Sequence, residues 1–162
     1  MKSEVSGWTN YEIQPAFILG FHGCDAAVGE AILRGETPHL KPSKNDYGWL
    51  GSGIYFWEGN PARALQFAHQ CAQGSLSSKG QINDPFVLGA VINLGHCLDL
   101  ADSSAIGQVR EAHQNLLGMA KRDEVELPHP RMRNGIGIEA MKLNCLVFNS
   151  LHASRNVAKL SP

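Results

Sequence analysis

The decapeptide GWLGSGIYFW, residues 48–57, sets three glycines and a serine among two tryptophans, a tyrosine and a phenylalanine. Glycine lets main chain approach a ligand closely, and an aromatic ring offers a face on which a flat group can lie. The combination suits a slot for something planar; the plainer alternative is a turn that feeds a buried strand. Upstream, His22, Gly23 and Cys24 close an apolar run that begins AFILGFHG at 16–23. On a strand His22 and Cys24 share one face, so a thiol beside a base is a second chemistry to weigh. No third residue that would orient the base is evident in that reading.

The elements that must position these residues are legible in part. AFILGFHG is short, apolar and closed by glycine, as a buried strand is. DAAVGEAILRG then predicts a short helix with Asp25 as cap and Gly35 as stop. Residues 37–53 are too rich in Pro, Gly, Ser and Asn for regular structure, and so long a connection tends to carry function. IYFW, 54–57, predicts a strand. GNPARALQFAHQCA predicts a helix with Asn60 as cap, Pro61 in the first turn, and Ala64, Phe67, Ala68 and Cys71 along one face.

QGSLSSKGQINDP, 73–85, reads as an exposed loop, and PFVLGAVINLGHCLDL, 85–100, as one or two core strands. DSSAIGQVREAHQNLLGMAKR, 102–122, predicts a helix capped by Asp102 with Ile106, Val109, His113, Leu116, Leu117 and Ala120 inward. A polar loop, DEVELPHPRMRNGIG, follows. In the last segment Leu146, Val147 and Phe148 are consecutive and break strand alternation, whereas Leu143, Val147, Leu151 and Ser154 fit one side of a helix with Asn144 as its cap.

Bulk properties narrow the function classes. The 162 residues fit a single α+β domain, 1–162, able to bury a core without staples. Fourteen Lys and Arg against fifteen Asp and Glu give a formal net charge of -1, so no global field favours nucleic acid or an anionic membrane. No apolar run reaches the roughly 18 residues a membrane span needs, and the N-terminal MKSEVSGWTN lacks a signal-peptide core, which predicts a soluble, cytoplasmic protein with no membrane partner. The four scattered cysteines predict reduced, buried thiols, and neither HExxH nor paired Cys/His spacing is present, so no metal is expected. There is no GxGxxG opening a helix and no GxxxxGK[ST], which speaks against a doubly wound dinucleotide enzyme or a P-loop.

The strand ending GFHGCD, the glycine-rich GSGIYFW and the small-residue helix NPARALQFA together resemble the ADP-ribosyltransferase superfamily, in the branch of poly- and mono-ADP-ribosyl polymerases and diphtheria-type toxins. The order and spacing match across about residues 16–70 and thin out beyond. The resemblance implies a split or bent, mainly antiparallel sheet with flanking helices, and NAD as substrate. An enzyme that breaks the nicotinamide–ribose bond must hold a flat carboxamide ring while the ribose develops positive charge. By resemblance, the Gly23 backbone would bond the carboxamide, His22 would reach a ribose hydroxyl, and Tyr55 would stack on the nicotinamide with Phe67 as second wall. Gly51, Ser52 and Gly53 would shape the turn beneath, and the 37–50 loop with Asp46, Tyr47 and Trp49 would close over the dinucleotide.

Two features depart from that family. Its polymerase branch has a small hydroxyl residue in the helix after the tyrosine strand, where this chain offers Arg63 or Ala64. The family's catalytic glutamate sits on a late strand; here forced alignment puts Asn144 at that position, and Glu126 and Glu139 are the remaining acids, with Glu139 carried forward as the catalytic candidate. A truncated or degenerate member lacking the late strand is therefore one expectation, and an inactive module that binds a nucleotide or a protein partner is the rival to an active enzyme. The acceptor of ADP-ribose, whether protein, nucleic acid or small molecule, is not legible. A bacterial toxin, effector or defence setting, with an inhibitory partner protein, is the third reading.

Overall fold

The computed structural model describes residues 12–45, 48–74, 82–129 and 138–160, with side chains from Phe17 and, at the far end, from Glu139 to Arg155. It is an α+β structure in which β1 (Glu12–Asp25), α1 (Ala26–Leu33), β2 (Trp57–Glu58), α2 (Pro61–Ala72), β3 (Pro85–Cys97), α3 (Ser103–Arg122) and α4 (Ile138–Leu160) follow in that order. The chain divides into two compact units. One comprises Gln14–Ser43 and Ile54–Gly95; the other is built on Lys44–Gly53 and the chain from His96 onward.

The first unit is organised by an antiparallel sheet in the order β2-β1-β3. Gly20 stands opposite Glu58 and Phe21 opposite Trp57. Period-2 alternation then gives the sheet two distinct faces. Cys24 and Leu88 are buried with Leu40 on one face, with Ile32, Phe56 and Phe86 packed around them. The other face receives α2: a Cβ on Gly23 would run into the Ala64 carbonyl oxygen and come within 3.4 Å of the Ala68 Cβ. Ala64 and Ala68 are fully buried at this seam, so glycine and alanine together let helix backbone lie directly on strand backbone.

Both helix starts read from the sequence are present. Asn60 Oδ1 accepts from the Arg63 N–H at 2.9 Å with Pro61 opening α2. Asp25 does more than cap α1. One carboxylate oxygen accepts from the Ala27 N–H at 3.0 Å, and the other accepts from the N–H groups of Asn83 and Asp84 at 2.8 and 3.2 Å. The last two of those bonds tie the end of β1 to the chain entering β3, and all three hold the Asp25 carboxyl below its usual pKa, the Asn83 bond contributing most.

The second unit is a helical pair. Ala112, Val147, Phe148 and Leu151 form its buried cluster, with Leu98, Leu100, Val109, Leu116 and Leu143 packed against it. Asp102 caps α3 through the Ser104 N–H at 2.8 Å, as its sequence predicts. Val109 and Leu116 of the expected inward face pack against this cluster, but the most buried line of α3 is a different one. Ala105, Gln108 and Ala112 are its buried residues, while Ile106 and Leu117 are 42% and 41% exposed. Hydropathy alone favours the larger side chains, but close helix–helix approach selects alanines at the contact line.

Two further expectations are corrected. Of the predicted IYFW strand only Trp57 pairs with β1, joined by Glu58 beyond it, and Ile54, Tyr55 and Phe56 lack regular structure. Asn144 is interior to α4, which begins at Ile138, so it caps nothing. The helical reading of the C-terminal segment holds, and among the described residues no strand follows β3.

Candidate functional site

The β1/β2 ladder stops one residue before it would reach His22. Continuing the register would set Phe56 opposite His22 and Tyr55 opposite Gly23, but the chain leaves the strand there. A side chain bridges the opening instead: His22 Nδ1 lies 2.7 Å from the Tyr55 carbonyl oxygen. A carbonyl only accepts, so Nδ1 carries the proton in this contact, and Nε2 is the ring nitrogen that it leaves uncommitted. The imidazole also lies against Phe56, with ring centroids 5.6 Å apart. His22 is half-buried, as are Tyr55 and Phe56. The outcome is a histidine fixed in orientation at a gap between two main chains.

Gly23, the neighbour of that histidine, has a packing requirement of its own in the contact with Ala64. Phe67 meets Trp57, with centroids 5.0 Å apart and planes tilted by 48°. Arg63 completes this cluster, its guanidinium 5.5 Å from the Trp57 ring centre and Nη1 donating to Gln70 Oε1 at 3.4 Å. Trp57 stands opposite Phe21, so the aromatic cluster lies on the α2 side of the sheet. Thus β1, β2 and α2 bring His22, Gly23, Tyr55 and Phe67 into one compact unit, with Phe67 backed by Trp57.

The glycines of the same decapeptide belong to the other unit. Gly51 donates its N–H to the Gly48 carbonyl at 3.2 Å and has φ +83°, a conformation that favours glycine. The Ser52 N–H is held by Asn149 Oδ1 at 2.7 Å. Asn149 Nδ2 in turn donates to Cys145 Sγ at 3.5 Å, and the Cys145 thiol donates to the Asn45 carbonyl at 3.3 Å. His152, two turns along α4 from Cys145, has its pKa lowered by burial first and by the Arg155 charge second, against a backbone hydrogen bond with Leu50 that raises it. A stripe at i, i+4 and i+7 on α4 therefore grips the 45–52 segment. Cys145, Asn149 and His152 were not singled out from sequence; their spacing was the available signal. Gly53 lies just beyond this grip, and Trp49 is exposed within it.

Glu139 sits in the first turn of α4, exposed, with Lys142 Nζ at 3.3 Å from its Oε1. Glu126 is exposed and 4.0 Å from His129. Tyr47 and Asp46 lie outside the described residues. The thiol chemistry considered for Cys24 loses ground: the side chain is buried, and burial, then the neighbouring Asp25, raise its pKa against a bond with the Gly29 backbone, which disfavours the thiolate. Among the described residues no group of three or more His, Cys, Asp or Glu is arranged to hold a metal ion, and no helix is long and apolar enough to cross a membrane. No family model, no curated protein and no solved structure matches this chain.

Proposed function

We propose that the chain is an NAD-dependent ADP-ribosyltransferase-like protein whose nucleotide subsite is built on His22, Gly23 and Tyr55. The observation that carries the reading is the 2.7 Å bond between His22 Nδ1 and the Tyr55 carbonyl, made where the β1/β2 ladder opens. It leaves Nε2 for a ribose hydroxyl, and it ties the main chain that carries the Tyr55 ring to the strand that carries Gly23. Phe67, supported by Trp57, is the second wall in this reading.

The reaction is a displacement at the anomeric carbon of the nicotinamide ribose. The C1′–N bond breaks, its electron pair neutralises the pyridinium nitrogen, and nicotinamide leaves. An acceptor oxygen or nitrogen then bonds C1′ and gives up its proton. Rigid placement of the ring and hydrogen bonds to the ribose lower the barrier by favouring the oxocarbenium-like geometry over other conformers. Glu139, the acid candidate read from the sequence, lies in the other unit and is given no part in this subsite. The acceptor class, the bacterial toxin or defence setting, an inhibitory partner and a cytoplasmic location are all parts of this proposal.

A second reading has its own support. Glu139 and Glu126 are both exposed, and Glu139 is ion-paired with Lys142, so neither has the desolvated surroundings that tune a catalytic acid. On that reading the chain binds a nucleotide or a protein partner without turnover. Nicotinamide release from NAD by the purified chain separates the two, with His22→Ala and Tyr55→Ala in parallel. Release abolished in both variants supports the transferase; NAD binding without release, weakened by Tyr55→Ala, supports the binding module. A folded chain that neither binds NAD nor releases nicotinamide overturns both nucleotide readings.

A further inference from the structure

We propose that Arg63 is the anion-binding group of the nucleotide site and takes the pyrophosphate of the dinucleotide, an inference that rests on the NAD reading above. Arg63 lies half-buried in the first turn of α2. Two contacts hold its guanidinium: the Trp57 ring, whose centre is 5.5 Å from Cζ, and Gln70 Oε1, which accepts from Nη1 at 3.4 Å. Neither partner carries a charge. Among the described residues no carboxylate pairs with Arg63, whereas Arg34 is bridged by Glu30 and Glu36 and Arg122 by Asp123 at the exposed surface. A guanidinium is a permanent charge, and where it is partly withdrawn from water an anion beside it is screened less and held more firmly.

The donors left over select the kind of anion. Nη1 is engaged by Gln70, and neither Nε nor Nη2 has a hydrogen-bond partner among the described residues. The Trp57 contact uses a ring face and consumes no N–H. Nε and Nη2 form one edge of the planar fork, with parallel N–H groups that meet two oxygens of a phosphate together. Trp57 and Gln70 also restrict a long side chain before any ligand arrives, which lowers the ordering cost of binding.

Placement connects this edge to the dinucleotide. Arg63 and Phe67 are one turn apart on α2, a spacing that sets their Cβ atoms about 6 Å from each other on one helix face. Both meet Trp57. The next residue, Ala64, supplies the carbonyl against which Gly23 lies. The guanidinium is thus beside the wall assigned to nicotinamide, on the helix that rests on Gly23. In NAD one ribose separates the nicotinamide ring from the pyrophosphate, and the pyrophosphate bears the only negative charges of the molecule. It is the one part of that substrate with which a guanidinium can pair.

The test is isothermal titration calorimetry of the full 162-residue chain, Arg63→Gln and Arg63→Lys with NAD, at salt of about 0.05 M and about 1 M. At low salt Arg63→Gln should weaken NAD by roughly tenfold or more, as loss of a charge-assisted hydrogen bond does, and the gap should narrow at high salt. Arg63→Lys, which keeps the charge without the fork, should recover part of the loss, and all three chains should share one circular dichroism spectrum. NAD binding that survives Arg63→Gln overturns the anion role and leaves the NAD reading standing. So does a loss of equal size at both salt concentrations, which marks packing on Trp57 rather than charge. A parent chain that takes no NAD ends the NAD reading, and inorganic pyrophosphate is then the probe: binding that Arg63→Gln abolishes keeps the anion site, and no binding removes it as well.

Discussion

The two halves of GWLGSGIYFW are held by different physics. Gly48–Gly53 belongs to the helical unit, where polar side chains of α4 grip the main chain: Asn149 at Ser52, Cys145 at Asn45, and His152 at Leu50. Ile54–Trp57 belongs to the sheet unit, where one imidazole bonds Tyr55 and ring packing secures Phe56 and Trp57. A contiguous motif thus draws its order from two separate cores. Glycine has a different reason on each side. Gly51 is needed for its positive φ, whereas Gly23 is needed because no side chain fits between β1 and α2.

That contrast ranks the substitutions that would break it. Gly23→Val carries the largest expected effect. Its Cβ meets backbone rather than a movable side-chain tip, so α2 must lift from β1, at a cost of about 3 kcal/mol or more. Thermal denaturation should show the loss, and far-UV circular dichroism at low temperature should report whether α2 still forms. Loss of less than about 1 kcal/mol would mean that the Ala64 seam is looser than its geometry indicates.

Asn149→Leu comes next. It removes the acceptor at Ser52 and the donor to Cys145 together, and a typical hydrogen bond contributes about 1 kcal/mol, so a loss of about 1–2 kcal/mol is expected. Gly51→Ala attacks the same point from the loop side. There a Cβ would lie 2.6 Å from Asn149 Oδ1, on a backbone that disfavours any side chain. The double variant should therefore lose less than the sum of the two singles, and strict additivity would show that Asn149 and Gly51 act independently.

How far the sequence announced these arrangements depends on the range of the interaction. Asp25, Asn60 and Asp102 were legible as caps because a cap depends on its own N–H neighbours two or three residues on. The C-terminal helix was legible from the spacing of Leu143, Val147 and Leu151. The inward face of α3 was legible at Val109 and Leu116 but not at Ala105 and Ala112, because alanine gains its place from the approach of a second helix, which hydropathy does not encode. The end of β2 was misread because Ile54, Tyr55 and Phe56 have strand-forming side chains whose pairing is decided by β1. His22 and Tyr55 were chosen by type and order, and their direct bond joins them across 33 positions. Asn149, the partner of Ser52 across 97 positions, had no local signal at all.

The remaining two predictions separate the units by pH. In the sheet unit, Asp25 has a depressed folded pKa, so its stabilisation is present above the unfolded value of 3.8 and fades as pH falls through the lower folded one. Asp25→Asn retains one acceptor oxygen but loses the charge and the second acceptor. It should lower the melting temperature by several degrees at pH 7 and by much less near pH 3, and an equal loss at both would remove the carboxylate from the account.

In the helical unit the titrating group is a base, and the window shifts. His152 also has a depressed folded pKa, but here the unfolded chain takes up the proton first. Its neutral form is favoured in the folded state, so stability is retained above the unfolded value of 6.5 and declines as pH drops toward the lower folded value. His152→Gln, a neutral side chain that can still donate to the Leu50 backbone, should flatten the melting temperature between about pH 6.5 and 5 while changing it little at pH 8. Because Asp25 titrates only below that window, the two slopes are separable in one series of melts. A slope between pH 6.5 and 5 that survives in His152→Gln would assign it to another of the seven histidines and leave the 45–52 segment secured by Asn149 and Cys145.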